Sequence, residues 1–438
     1  MVRTRSMASK VDLPKPALKI PKLGTRSKQK ASKTQTTAKT KKPALSKPST
    51  LSPDQSSPLA LAQINFAWKL LQEITRQKLS TTTCSPFSIS VCLSILYGGA
   101  ERATKEEIGG LLKSKFKLKD EQIHSYFSDL LQLFSQANTE GVSLESANKI
   151  FLKDGFPLLK TFEDLVCSKY RSLVEQANFG NKAALCQNIN DWATEATHGR
   201  IREIIQPSTL HVDTNMVILN AFYFQAKWLH EFSRKLTETA TFKVTSTTTK
   251  EIEFVGIIDR PNKYKHHETA TLQIVRLSYK DEKTAMYVFL PKKHKNVENL
   301  FDGIGSEEIF NLLKATKTSQ APRYVTDIEI SMPKYEIEAE HNVAEILANL
   351  GMTTAFDVDS DFSGITDQEP LLIDKFIQKA FIKVNESGTE AAAVTMACPA
   401  TGGGGFKPKI IKFKADHPFF YMIVHEPTMC VLFAGVYT

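Results

Sequence analysis

A strand-like run, Ala380-Phe381-Ile382-Lys383-Val384, leads into Glu386-Ser387-Gly388-Thr389-Glu390-Ala391-Ala392-Ala393, and the chain then continues to four glycines, Gly402 to Gly405. Glycine and alanine contribute little packing to a strand, so a stable sheet gains little from such a tract. Side chains this small do suit a segment that slides between two existing strands without steric conflict. The pattern therefore constrains the chain to a fold with a sheet, and with a loop able to become one of its strands.

The segment Glu386-x-Gly388-Thr389-Glu390-Ala391-Ala392-Ala393 resembles the hinge of the serpin family, where the exposed reactive loop leaves the main sheet. Further motifs resemble the same family in the family's order. They are Ser85-Pro86-Phe87-Ser88-Ile89 with Tyr97-Gly98-Gly99-Ala100, and Ile189-Asn190-Asp191-Trp192 with Thr197-His198-Gly199-Arg200-Ile201. Asn220-Ala221-Phe222-Tyr223-Phe224 with Trp228, Asp361-Phe362-Ser363-Gly364-Ile365, Asp416-His417-Pro418-Phe419 and Phe433-Ala434-Gly435-Val436 complete the set. The resemblance spans about residues 58 to 438. It implies an α+β serpin fold: a large mixed main sheet, two further sheets, about eight or nine helices and an exposed reactive loop over about 388–412.

The charge is unevenly spread. Residues 1–56 hold 14 Lys or Arg against 2 Asp, or +12, whereas the whole chain is +9, which leaves −3 for the rest. The tail has no aromatic residue and is rich in Pro, Ser, Thr and Ala. It cannot bury enough apolar surface to offset its chain entropy, so the expectation is a disordered basic extension over 1–56 and one folded domain over 57–438. Lys39-Thr40-Lys41-Lys42-Pro43 resembles a linker-histone-like tail or a nuclear localisation signal, which would contact nucleic acid through phosphates. The alternative is a solvated extension. The first residues include no apolar stretch of signal-peptide length, and no window approaches a membrane span. Extracellular is the common family location, while a cytoplasmic or nuclear form fits the sequence as written. Cys84, Cys92, Cys167, Cys186, Cys398 and Cys430 show no paired or metal-ligand spacing, and His266-His267 has none either. No cofactor, metal or enzyme site is expected.

Periodicity places elements. Leu61, Ile64, Ala67, Trp68, Leu71 and Ile74 recur at helical spacing after Pro58, and Ile123, Phe127, Leu130 and Leu131 do so in 120–133. Ser88 to Leu96 is almost wholly apolar and reads as a buried helix. Ile328, Ile330 and Met332 alternate as in a half-buried strand. Met286–Leu290, Phe419–Val424 and Val431–Val436 read as buried strands, the last two as a hairpin. Helices gather early and strands late, which points to α+β.

The resemblance also implies the functional residues. Insertion of a cleaved reactive loop is a known case of strand addition to a sheet. Counting sixteen residues on from Glu386 places the reactive bond between Gly402 and Gly403, with Thr401-Gly402 the second choice. A residue this small before the bond favours an elastase-like or other small-pocket serine protease. The insertable segment is Glu386, Gly388, Thr389, Glu390, Ala391, Ala392, Ala393 and Thr395, with Thr389, Ala391, Ala393 and Thr395 facing inward. Ser85, Ser88, Asn220 and Gln378 match polar positions beneath the parting strands, with Gln378 where the family often has histidine, and Trp228 matches the tryptophan where insertion begins. Thr81 stands where the family usually has Asn. Lys113, Lys115, Lys117 and Lys119 precede a helix that binds heparin in some serpins, so a glycosaminoglycan is a candidate partner, and a solvated lysine run is the plainer reading. Cys398 falls on the loop. The expected activity is suicide inhibition by a monomer; the alternative is a non-inhibitory chaperone or a nucleic-acid- or chromatin-binding protein on the same fold.

Overall fold

The computed structural model describes residues 58–389 and 409–438, apart from 78, 79, 137–140, 172, 260–262, 294, 296, 323, 324 and 369. Eight α-helices occur among the described residues: α1 (Pro58–Gln77), α2 (Pro86–Tyr97), α3 (Arg102–Lys113), α4 (Asp120–Gln136), α5 (Lys160–Lys169), α6 (Lys182–Ala196), α7 (Ser306–Thr318) and α8 (Val343–Asn349). The strands are β1 (Thr82–Cys84), β2 (Val142–Lys153), β3 (Val174–Ala177), β4 (Met216–Lys227), β5 (Ser233–Lys243), β6 (Thr249–Asp259), β7 (Lys265–Glu268) and β8 (Leu272–Ser278), followed by β9 (Thr284–Pro291), β10 (Val325–Pro333), β11 (Tyr335–Asn342), β12 (Lys375–Val384), β13 (Gly388–Thr389), β14 (Lys409–Lys414), β15 (Phe419–His425) and β16 (Cys430–Tyr437).

They form three sheets. The main sheet has the order β11-β12-β4-β2-β3, with the short β13 paired to β4. Its centre is a parallel pair, β12 beside β4, and each of these has an antiparallel neighbour, β11 and β2. A second sheet, β1-β16-β15-β9-β8-β7, is antiparallel at every pairing. The third is β14-β10-β6-β5. The α+β architecture expected from the sequence is present, with the buried strands 419–424 and 431–436 in the β15–β16 hairpin. The loop expected over 388–412 yields both ends to strands. Gly388–Thr389 pairs with β4, and Lys409–Lys412 lies in β14, where Ile410 and Ile411 pair beside β10. β-branched residues at those positions favour an extended chain.

The two faces of β4 have different covers. Its even positions, among them Ile218, Phe222, Phe224 and Ala226, belong to the large core shared with the second sheet, where Phe222 and Phe224 lie 4.9 and 5.9 Å from Phe433. Between those layers runs α2, buried at every position. Its start is fixed by Ser85, whose hydroxyl accepts from the Ser88 amide, and by Pro86 in the first turn. The odd positions Val217, Leu219 and Ala221 form a second core with α6 and the segment that follows it, through Ile189, Ala193, Ile201, Ile204 and Ile205.

That segment is held down by its own polar residues. His198 and Gly199 turn left-handed at φ 51° and 79° and end α6. The Thr197 hydroxyl donates to the Ala193 carbonyl at 2.7 Å and accepts from the Ile201 amide at 3.0 Å. The Asn190 side chain accepts from the amides of Ile204 and Ile205 and donates to the Ile205 carbonyl. Elsewhere the Tyr97–Ala100 and Asp361–Ile365 motifs meet. The Gly364 amide donates to the Gly99 carbonyl at 3.1 Å, an approach so close that a Cβ on Gly364 would lie 2.9 Å from that oxygen.

Candidate functional site

At its C-terminal end β12 turns back on itself. Asn385 and Gly388 pair across a tight turn, with the Asn385 amide 3.0 Å from the Gly388 carbonyl, and the Asn385 side chain accepts from the Ser387 amide. The chain emerges antiparallel to β4, with Gly388 opposite Lys227 and Thr389 opposite Ala226. Gly388 and Thr389 thus already lie beside β4 beyond the end of its pairing with β12. Gly388 has φ +138°, and a Cβ there would overlap the Ala226 carbonyl oxygen and lie 2.6 Å from Lys227 Cα. Only glycine satisfies both the conformation and the approach.

Trp228 clamps this turn. Its indole N–H donates to the Asn385 carbonyl at 3.0 Å, its amide donates to the Ser387 carbonyl at 3.0 Å, and its ring stacks on Tyr279 with centroids 4.6 Å apart. Glu386 binds the other side. Its carbonyl accepts from the Phe232 amide at 2.7 Å, and its carboxylate accepts from the Thr237 hydroxyl at 2.9 Å and from Lys334 at 3.5 Å. Burial alone would push the Glu386 carboxyl up. Hydrogen bonds from its own backbone and from Thr237, with the Lys334 charge, outweigh that and hold it below the usual carboxylate value.

Beneath the mouth, a row of buried polar side chains crosses the sheet at one level. His341, Gln378, Asn220 and Asn148 are successive register partners on β11, β12, β4 and β2. Gln378 and Asn220 are fully buried and join the parallel pair: Gln378 Nε2 lies 2.7 Å from Asn220 Oδ1. Gln378 also accepts from the Ser85 amide at 2.9 Å and lies 3.0 Å from the Ser85 carbonyl and 3.1 Å from Ser88 Oγ. Ser88 donates to Asn220 at 2.7 Å, and Asn220 donates to Asn148 at 2.6 Å. The His341 ring lies 2.8 Å from the Thr83 carbonyl. Four sequence-selected residues, Ser85, Ser88, Asn220 and Gln378, therefore meet in one network at the start of α2. Thr81 lies apart from it, bonding the last residue, Thr438.

Asn148, His341, Thr237, Lys334 and Tyr279 were not selected from the sequence. Two carried a signal. Asn148 is a strand-disfavoured residue inside an otherwise strand-like run. The alternation of Tyr335, Ile337 and Ala339 sets His341 on the buried face.

The lysine cluster is less uniform than its sequence. Lys113 reaches the Tyr97 hydroxyl and lies 3.3 Å from Asp120, and Lys115 pairs with Glu307, while Lys117 and Lys119 are exposed. Carboxylates thus occupy two of the four cations. The reactive-bond residues Thr401, Gly402 and Gly403, the insertion residues Glu390, Ala391, Ala392, Ala393 and Thr395, Cys398, and the tail lysines Lys39, Lys41 and Lys42 lie outside the described residues, as does the Thr389 side chain. Cys84, Cys92, Cys186 and Cys430 are buried thiols. No described helix is long and apolar enough to cross a membrane.

Comparison with known proteins gives one family. The profile of "Serpin (serine protease inhibitor)" matches residues 61–438. Serpin B6 of Pongo abelii is 30% identical over 379 residues, 86% of this chain and 98% of that protein. A serpin-like protein of Methanosarcina acetivorans is 31% identical over 401 residues, 88% of this chain and 89% of that one. Among solved structures, uncleaved ovalbumin shares the fold at TM-score 0.75 and 24% identity, over 86% of this chain and 98% of its own. Serpin48 of the insect Tenebrio molitor superposes at TM-score 0.71 with 26% identity, over 88% of this chain and 98% of that one.

Two expectations follow from the geometry. Asn220→Ala removes the acceptor shared by Gln378 and Ser88 and takes the donor from the buried Asn148 oxygen, and should lower unfolding stability by about 1–3 kcal/mol; an unchanged denaturant midpoint would show the network to be idle. The lowered Glu386 pKa adds stability that is present above the unfolded-state value and is lost as pH falls through the folded value. Acidification below about pH 4 should therefore erode the melting temperature more steeply in the native protein than in Glu386→Gln, and parallel acid slopes would contradict this.

Proposed function

The chain belongs to the serpin family, and we propose that it acts as a suicide-substrate inhibitor of a serine protease. The protease serine would attack the Gly402 carbonyl. The Gly402–Gly403 bond breaks, the amine of Gly403 leaves with the proton relayed by the protease histidine, and an ester joins Gly402 to the enzyme. Insertion of the freed segment into the main sheet would then carry the protease away before water reaches that ester. Thr401–Gly402 is the adjacent alternative bond.

The observation that carries this reading is the seating of β13. Gly388 and Thr389 already pair with β4 at the head of the seam between β12 and β4. Continued in the same register, Ala391 would come opposite Phe224, Ala393 opposite Phe222 and Thr395 opposite Asn220. Those β4 positions face the buried core, and the residues arriving there are all small. Thr395 would bring a hydroxyl to Asn220 at the level where Gln378 departs. Register and burial alternate with period two, so a one-residue slip would turn Glu390 into the core.

The single-residue step before the reactive bond, glycine or threonine, fits an elastase-like or other small-pocket protease. The charged rims of the insertable tract, Glu386 and Glu390, stay outside the inward set. The basic tail leaves a role in nucleic-acid or chromatin binding as the rival reading, and one experiment separates the two. The purified protein is mixed with a panel of serine proteases and resolved on a denaturing gel, with mass analysis of the released C-terminal peptide. A covalent complex, with a peptide beginning at Gly403, is the expected result. Clean cleavage across the panel, without complex and without a rise in melting temperature, would favour the non-inhibitory alternative.

Thr389→Arg should convert inhibitor to substrate, because a guanidinium delivered to the core beside Ala226 would lack a partner. Cleavage should persist while the complex band falls by more than ten-fold. An undiminished complex would refute the assigned register.

A further inference from the structure

The front of the seam is crossed by a contact that neither the hinge nor the buried network contains. Phe381 on β12 is the register partner of Tyr223 on β4, their rings 5.9 Å apart and almost fully buried. Over Phe381 stands the guanidinium of Arg200, 5.7 Å from the ring centroid. Arg200 belongs to the turn after α6, and that turn is anchored to the β4 side. Thr197, Asn190, Ile201 and Ile204 hold it to α6, and the α6 core rests on Phe151, Val217, Leu219 and Ala221 of β2 and β4, with Ile377 of β12 packed at its margin. Arg200 thus starts from one side of the seam and ends on the other.

The opposite flank of β12 is tied differently. Lys379 pairs with Glu340 at 3.0 Å and Lys383 with Glu336 at 2.9 Å, both on β11. These ion pairs, one on each side of Phe381, join β12 to β11, so the two strands can move together away from β4. From the geometry we infer that Arg200 is a positioning residue: a strap that holds Phe381, and with it β12, against β4 until the sheet opens. Strands lie about 4.8 Å apart, so one inserted strand carries Phe381 away by roughly that distance. A cation–π contact acts only within about 6 Å of the ring, and the strap must release. The strap lies three register positions above Gln378 and Asn220, so an opening that starts at Gly388 meets it first.

This inference rests on the insertion proposed above, and two measurements keep them separable. In the full-length protein, amide hydrogen exchange is followed at β12 residues 375–381 and, as an internal reference, in β15 and β16. Arg200→Ala should speed exchange in the seam about two- to five-fold, the equivalent of one exposed cation–π contact. Arg200→Lys, which keeps a cation, should restore most of the protection, and the reference strands should not change. Seam exchange that stays at the native rate, or rises equally in β15 and β16, overturns the strap. The second measurement is the uptake of a synthetic peptide with the sequence of residues 389–400, read by native gel. Arg200→Ala should take it up faster by a similar factor, and equal uptake rates would overturn the strap. Should neither native nor variant protein take up peptide, insertion itself is refuted, and the exchange data alone decide whether Arg200 holds the seam.

Discussion

The hydrogen bond between Gln378 and Asn220 is the point on which the main sheet turns. It joins the two central strands, β12 and β4, and these are parallel. Parallel pairing is slightly weaker per residue than antiparallel pairing, so the centre of the sheet is joined less firmly than its antiparallel flanks. Both side chains are fully buried, and neither can turn to water when the strands part. A buried amide that loses its partner costs about 1–3 kcal/mol. The seam is therefore closed by the cost of opening it as much as by the bonds across it.

That cost falls if a replacement arrives. An inserted strand would restore backbone bonds to β12 and β4 along its length, and in the register set by Gly388 and Thr389 it would present Thr395 to Asn220. A hydroxyl both donates and accepts, so it can serve the Asn220 carbonyl that Gln378 leaves. Asn220 would then keep a partner as the strands part. A purely apolar seam would have no such preference for where the new strand stops. Glutamine at 378 joins the two central strands without a titratable group, because its amide does not gain a proton in the range where a histidine would.

Much of this was legible in the sequence because it depends on residue type. The apolar run from Ser88 to Leu96 marked a buried helix, and α2 is buried at every position; the polar residues of the Ser85 and Asn220 motifs marked positions that meet beneath the sheet. The hinge clamp was half legible: Trp228 stood in a recognisable motif, but Tyr279 beneath its ring and Thr237 and Lys334 on Glu386 lie far away in the chain. No local pattern marks a residue whose partner is brought near by sheet topology. Arg200 is the clearest case. In the sequence it stands in the Thr197–Ile201 motif, far from Phe381 in the chain; only the path of α6 across β4 sets it above that ring. The lysines at 113–119 show the same limit: Glu307, far away in the chain, folds against Lys115.

The two faces of the seam use different physics, and this would order the events of an insertion. On the face toward α2 the contacts are directional hydrogen bonds among desolvated groups, which hold until a partner of matching geometry replaces them. On the front face they are ring and cation contacts, which weaken gradually with distance and need no replacement. A strand entering at Gly388 would first spread Phe381 from Tyr223, where yielding is gradual, and only then reach the level of Gln378 and Asn220. By that stage Thr389, Ala391 and Ala393 would already be paired to β4, and the bonds so formed would offset the cost of parting the buried pair. A sheet built with the directional lock at its mouth would have to break its strongest contact before forming any new one.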